Sequence, residues 1–272
     1  MRLSRSKKLM LFGVALLTVG LAGRAAADTT PESRTQAKPA ASAPATAKRP
    51  APKPKPSPKK TAVKVSTKTG SGPAGSRMTT GNKTVALTFD DGPDPVQTPQ
   101  ILKLLAQQKV HATFCLVGRN VQKHPELVRR IVAGGHTICD HTWSHDLRLG
   151  KKTAAQIRAD MARTNAAIHQ AAPNATIKYF RAPGGNFTPA IVSIARSMGM
   201  TSLYWKVDPR DWSHPRGETH AQHRARVITR VERNTHAGAI VLSHDYAQPD
   251  TIVAYRTLLP WLKKRFPLVG MP

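Results

Sequence analysis

The chain has 272 residues and carries 42 Lys and Arg against 15 Asp and Glu, a formal net charge of +27 and a sequence pI near 11.0. That length can bury one sizeable core, but the composition is uneven, so not all of the chain is expected to contribute to it. The charge divides as +5 over residues 1–27, +9 over 28–78 and +13 over 79–272. Such basicity would suit nucleic acid, but no nucleic-acid motif is present and the amino-terminal export signal described next argues against that partner.

Arg2, Arg5, Lys7 and Lys8 precede an uncharged run from Leu9 to Gly23, and Ala25-Ala26-Ala27 supplies small residues for cleavage. This reads as a secretory signal over residues 1–27, too short for a comfortable membrane span. An exported protein, periplasmic or associated with the cell wall, is therefore expected. Residues 28–78 are dominated by Ala, Pro, Lys, Ser and Thr, with Pro50-Ala51-Pro52-Lys53-Pro54-Lys55-Pro56 as the stiffest piece. Alternating Pro and Lys favours extended, solvated backbone, so a disordered linker is expected. It would act as a spacer or as an electrostatic tether to anionic envelope or wall polymers.

From residue 79 onward, apolar strand-like runs alternate with amphipathic segments, the pattern of an α/β fold with a largely parallel sheet. Strands are expected at 84–89, 112–117, 137–139, 178–180, 201–205 and 239–242. Helices are expected at 100–108, 125–133, 153–171, 189–198, 221–234 and 252–264. No internal repeat appears, so residues 79–272 read as one domain and a monomer. Cys115 and Cys139 fall in runs that read as neighbouring parallel strands, where bridging is geometrically demanding, and two buried thiols are expected.

Chemistry-bearing residues follow almost every strand: Asp90 and Asp91, His141 and His145, Arg181, Asp208 and Asp211, then His244. A barrel gathers the carboxyl ends of its parallel strands on one rim, so these residues can converge. In a regular strand Asp90 and Asp91 would point to opposite faces, but Gly92-Pro93 breaks that regularity. His141 and His145, four apart, share a face of a helix or tight turn. Two imidazoles and one carboxylate form a three-ligand set with an open position, which suits a hydrolytic divalent metal; zinc is the first choice, with other transition metals open. His214, His220 and His223 read as solvated or structural.

Five segments in order resemble the NodB-like polysaccharide deacetylases of carbohydrate esterase family 4. They are Thr88-Phe89-Asp90-Asp91-Gly92-Pro93, His141-Thr142-Trp143-Ser144-His145, Arg181-Ala182-Pro183-Gly184-Gly185, Asp208-Pro209-Arg210-Asp211-Trp212 and Leu242-Ser243-His244. The resemblance implies a distorted (β/α) barrel that hydrolyses N-acetyl amide bonds of an acetylated polysaccharide. It implies Asp91, His141 and His145 as metal ligands, Asp90 as general base and Arg181 as its partner. It further implies His244 as general acid supported by Asp211, the Gly184 amide as oxyanion donor, and Trp212 and Leu242 as walls of an acetyl pocket. Peptidoglycan is the leading substrate, with chitin, poly-N-acetylglucosamine and acetylated xylan as alternatives.

Three departures stand out. Gly184 replaces an aromatic residue common in the family, Cys115 replaces another aromatic, and the chain ends soon after Phe266-Pro267-Leu268-Val269, which leaves barrel closure to a short final strand or none. Two competing functions remain: glycoside hydrolysis, which sets its carboxylates about 5–9.5 Å apart across a sugar bond, and wall binding on an inactive scaffold.

Overall fold

The computed structural model describes residues 70–271; the expected leader and all but the end of the expected linker lie outside the described residues. In chain order the elements are β1 (Val85–Asp90), α1 (Gln97–Gln108), β2 (Thr113–Leu116), α2 (Gly118–Lys123), α3 (Pro125–Ala133), β3 (Thr137–Asp140), α4 (Ala154–Ala171), β4 (Ile177–Phe180), α5 (Pro189–Ser197), β5 (Thr201–Ser202), α6 (His220–Asn234), β6 (Ile240–His244), α7 (Pro249–Arg265) and β7 (Leu268–Val269). The alternation of strand and helix is the one the apolar periodicity predicts. Helix α2 is the exception: its only buried large apolar residue is Val121, so it has no apolar stripe to read.

All strands pair in parallel, in the order β5-β4-β3-β2-β1-β6, and β7 adds beside the start of β1. Strand β1 is interior, flanked by β2 and β6, and every one of its residues is buried, which explains its nearly unbroken apolar run. Side-chain alternation then separates two environments. Leu87 and Phe89 face the helices, where Phe89 packs against Phe114 at 5.4 Å and Tyr255 at 5.0 Å between ring centroids. Ala86 faces the concave side with Cys115, Cys139, Tyr179, Leu203 and Ile240. Thr88 and Asp90 share that concave side, at its carboxyl end. The helix starts are locally encoded as well: Thr153 and Thr219 each form a reciprocal capping box with Gln156 and Gln222.

The curled sheet closes differently from the expectation. Strand β7 is present, but it pairs with β1 through Val85↔Leu268 and Ala86↔Val269 rather than joining the sheet's edges. The edges are spanned by the irregular backbone after β5. Leu203 bridges Arg77, Val207 bridges Val241, and the Lys206 and Leu242 amides each donate at 2.9 Å, to Ile240 and Val207 respectively. The linker boundary also moves: Ser76 is buried, and Arg77 exchanges backbone hydrogen bonds with Ser202 (2.8 Å) and Tyr204 (2.7 Å). The folded unit thus begins before residue 79, because this segment completes the sheet's hydrogen bonding.

The expectation of two free thiols is incorrect. Cys115 and Cys139 form a disulfide directly across β2 and β3, with their Cα atoms 4.2 Å apart. The tightly curled strands bring this pair closer than the usual ~4.8 Å interstrand spacing, and both side chains point into the concave core. Since the bridge encloses a sequence separation of 24 residues, removing it with the pair Cys115→Ala and Cys139→Ala should cost about 3 kcal/mol. Urea unfolding with and without reductant measures this; a midpoint insensitive to both treatments would contradict a stabilising bridge.

Candidate active site and metal centre

The site lies at the carboxyl ends of β1, β3, β4 and β6. Asp90 is the last residue of β1 and is 2% exposed. Asp91 follows at φ 74°, a left-handed conformation uncommon for a non-glycine residue. The reversal of strand geometry therefore occurs at Asp91 itself, before Gly92-Pro93. The Asn120 side-chain amide donates to the Asp91 carbonyl at 2.8 Å, and the Val117 amide to the Gly92 carbonyl at 2.9 Å. Both contacts hold the turn against the start of α2.

His141 and His145 sit on a tight turn rather than a helix, with Thr142 and His145 also at positive φ, 68° and 56°. Buried Asp140 accepts from the Thr142 amide at 2.7 Å, and the Thr142 hydroxyl accepts from the His145 amide at 3.0 Å. From outside, the Gly118 and Arg119 amides of α2 donate to the Thr142 and Trp143 carbonyls, both at 3.0 Å. Local side-chain bonds thus replace the helix that the four-residue spacing would also satisfy.

The turn aims both imidazoles at one oxygen. Asp91 Oδ1 is buried and makes no hydrogen bond; His141 Nε2 is 3.3 Å away and His145 Nε2 is 3.4 Å away. His141 Nδ1 lies 2.8 Å from the Arg181 carbonyl, which fixes a proton on Nδ1 and leaves the Nε2 lone pair facing Asp91. Each residue offers a ligand atom within 4.8 Å of the other two, and one carboxylate with two neutral imidazoles is a donor set suited to a divalent transition metal. The residues therefore fit a metal ion. Burial opposes the charge on Asp91, but the His141 imidazole beside it, with those of His244 and His145, holds its carboxyl well below the usual range when these rings carry their second proton; a bound ion would take the place of the protons on His141 and His145.

Arg181 is fully buried and runs along the concave side to β1. Its guanidinium donates to Asp90 Oδ1 at 2.6 Å and to the Thr88 hydroxyl at 2.8 Å, while the Leu203 and Tyr204 carbonyls accept more distantly. Asp90 Oδ2 remains turned toward the histidines, 3.7 Å from His141 Nε2. On the opposite flank His244 ends β6, in register with Asp90. His244 Nδ1 meets Asp211 Oδ1 at 2.8 Å, and Asp211 Oδ2 accepts from the His244 amide and the Thr251 hydroxyl, each at 2.8 Å. Burial disfavours the imidazolium, yet the Asp211 charge and hydrogen bond, helped by Asp91 and Asp90, push the His244 pKa up to about 10.

Other motif residues surround this centre. Leu242 is buried two residues before His244, on the same face of β6. Trp212 is 46% exposed and stacks beneath the Arg210 guanidinium. Asp208 is not drawn into the pair; it caps its own loop by accepting from the Arg210 amide at 2.7 Å. Gly184 is exposed at φ 61° in a short turn, and a Cβ there would lie 3.0 Å from Leu147, the side chain now beside it. His214, His220 and His223 have structural partners: Gln248 for the first, and the Asp250 carboxylate, which also holds Arg224, for the other two.

The sequence reading missed supporting residues. Asn120 gave no signal because a single amide side chain in an unpatterned segment is uninformative. Asp245 is fully buried behind the Asp90-Asp91 turn, hydrogen-bonded to Thr98, and burial pushes its carboxyl up to about 7. Its proximity explains Gly92, where a Cβ would come within 2.6 Å of the Asp245 carboxylate. Adjacency to His244 was the only available hint.

Comparison with known proteins finds relatives in sequence and in fold. Residues 77–203 match the family model described as polysaccharide deacetylase. A chitooligosaccharide deacetylase of Sinorhizobium fredii is 34% identical, the match covering 70% of this chain and 90% of the relative. A peptidoglycan-N-acetylglucosamine deacetylase of Bacillus cereus is 35% identical, over 67% of this chain and 83% of the relative. Among solved structures, BA3943, a CE4 family pseudoenzyme from Bacillus anthracis, aligns with a TM-score of 0.63 at 29% identity, covering 70% of this chain and 64% of its own.

Proposed function

The chain belongs to the polysaccharide deacetylase family, carbohydrate esterase family 4, and from that premise we propose that it is an active, exported, zinc-dependent enzyme removing acetyl groups from N-acetylglucosamine residues of peptidoglycan. The observation that carries activity is the buried, hydrogen-bond-free Asp91 Oδ1 facing two imidazole Nε2 atoms beside an Arg-held Asp90. Neighbouring carboxylates on one turn favour this chemistry over glycoside hydrolysis, which needs them on opposite sides of a sugar bond.

Asp91, His141 and His145 would hold the ion. When bound, it supplies a Lewis acid for the acetamide carbonyl and the attacking water. Asp90 takes a proton from that water through Oδ2, because Oδ1 is committed to Arg181. The Gly184 amide donates to the oxygen on which negative charge develops. His244, kept protonated by Asp211, gives its Nε2 proton to the departing nitrogen, so that water and amide become acetate and a free amine. Trp212 and Leu242 bound the methyl group of the acetyl.

The test is acetate release by the full chain from peptidoglycan and from chitotetraose, before and after chelation. We expect chelation to abolish release and added zinc to restore it. Undiminished release after complete metal removal would overturn the metal mechanism, and shortened glycan without acetate would overturn the reaction class. The basic linker is read as a spacer or as a tether to anionic wall polymer; deleting residues 28–69 should leave activity on soluble substrate intact.

A further inference from the structure

Beside the metal triad lies a cavity of about 340 Å³, within the size range of small-molecule sites. Asp91 and His145 form one side, Arg119, Asn120 and Lys123 of α2 form another, and Tyr246 a third. We propose that this cavity is a subsite for a carboxylate carried next to the acetylated sugar, so that the enzyme prefers acid-bearing acetamido glycans over neutral ones. The proposal rests on the deacetylase reading and narrows its substrate.

The first support is the arrangement of α2. Arg119 and Lys123 are four residues apart and share one helix face. Asn120 turns inward, where its amide holds the Asp91 carbonyl at 2.8 Å. One short helix thereby fixes the ligand-bearing turn and presents two cations beside it.

The second is charge balance. Among the described residues, the Arg119 guanidinium meets only the Ser144 carbonyl, at 2.9 Å, and Lys123 forms no ion pair. Asp91 is the only acid lining the cavity, and it is directed at His141 and His145. Two exposed cations on a helix are ordinarily a solvated face. Here they share a concave space with atoms that would hold the ion, and a concave surface focuses their attraction for an anion. A bound ion would add positive charge, increasing that preference.

The third is Tyr246, two residues beyond His244 and 39% exposed, whose ring offers an amphipathic surface for a sugar face. A neutral acetamido glycan could use the ring but not the cations. A carboxylate could come from the lactyl ether of a neighbouring muramic acid or from an attached peptide.

The experiment measures kcat/KM of the zinc-loaded full chain on peptidoglycan strands with peptide stems, the same strands without stems, stem-free strands with their carboxylates amidated, and chitotetraose. We expect acid-bearing strands to be preferred over both neutral substrates by about tenfold, with the preference shrinking as salt rises from about 50 to 500 mM. Lys123→Glu should lower the ratio of acid-bearing to neutral kcat/KM by about tenfold, mainly through KM, and Lys123→Arg should retain it. Stem removal frees the lactyl carboxylate from its amide to the peptide, so a preference seen only for stem-free strands assigns the anion to the sugar, one seen only with the stems assigns it to the peptide, and one seen with both shows that the subsite takes either; each supports the subsite. A ratio unmoved by Lys123→Glu and by salt would overturn it. Absence of acetate release from every substrate would instead overturn the deacetylase reading, and this proposal with it.

Discussion

Asp90→Asn should lower acetate release by about 10²–10⁴-fold, the contribution of a positioned general base, while the protein still takes up zinc. The asparagine keeps the shape and can still accept the Arg181 hydrogen bond now made at 2.6 Å, but it cannot remove a proton from water. Because Asp91, His141 and His145 are untouched, calorimetric titration should show zinc binding largely preserved. His141→Ala is the contrasting variant: it removes a ligand and should weaken zinc binding itself. Full metal-dependent release by folded Asp90→Asn protein would remove Asp90 from the base role.

Arg181→Met should destabilise the folded domain by about 3–5 kcal/mol, the cost of stripping one partner from a buried ion pair. Asp90 is 2% exposed and receives its charged hydrogen bond from Arg181, so the variant leaves a nearly dry carboxylate uncompensated. Arg181 also donates to the Thr88 hydroxyl at 2.8 Å, and its carbonyl accepts from His141 Nδ1 at 2.8 Å, so one residue joins β1, β4 and the histidine turn. Combining Arg181→Met with Asp90→Asn should cost less than the sum of the two changes, since the double variant buries no unpaired charge. Urea denaturation of the three variants measures this; additive losses would show that the two side chains are not energetically coupled.

Much of the fold was legible because strand and helix leave different apolar periods. The runs around Phe89, Phe114 and Val241 and the stripes of α1, α4 and α7 each signal their own element. Helix α2 left no stripe, and Arg119, Asn120 and Lys123 went unassigned with it. The linker boundary and sheet closure were illegible for another reason: Arg77 and Val207 join the sheet through single backbone bridges, which depend on proximity rather than side-chain type. The cysteine pairing turned on strand curvature, a property no local window carries.

The sequence by itself determined the residue types of the site and their order, because catalysis by this family's chemistry demands particular functional groups after successive strands. The residues by themselves left the two carboxylates undivided and the family resemblance implied their separate roles; only the tertiary structure shows where each side chain is aimed. The left-handed turn at Asp91 sends its carboxylate to His141 and His145, while the strand geometry at Asp90 delivers the adjacent carboxylate to Arg181. Those assignments depend on three-dimensional convergence of β1, β3, β4 and β6, through distances of a few ångströms between residues about fifty to one hundred and fifty positions apart, and on the burial that makes an unpaired charge costly.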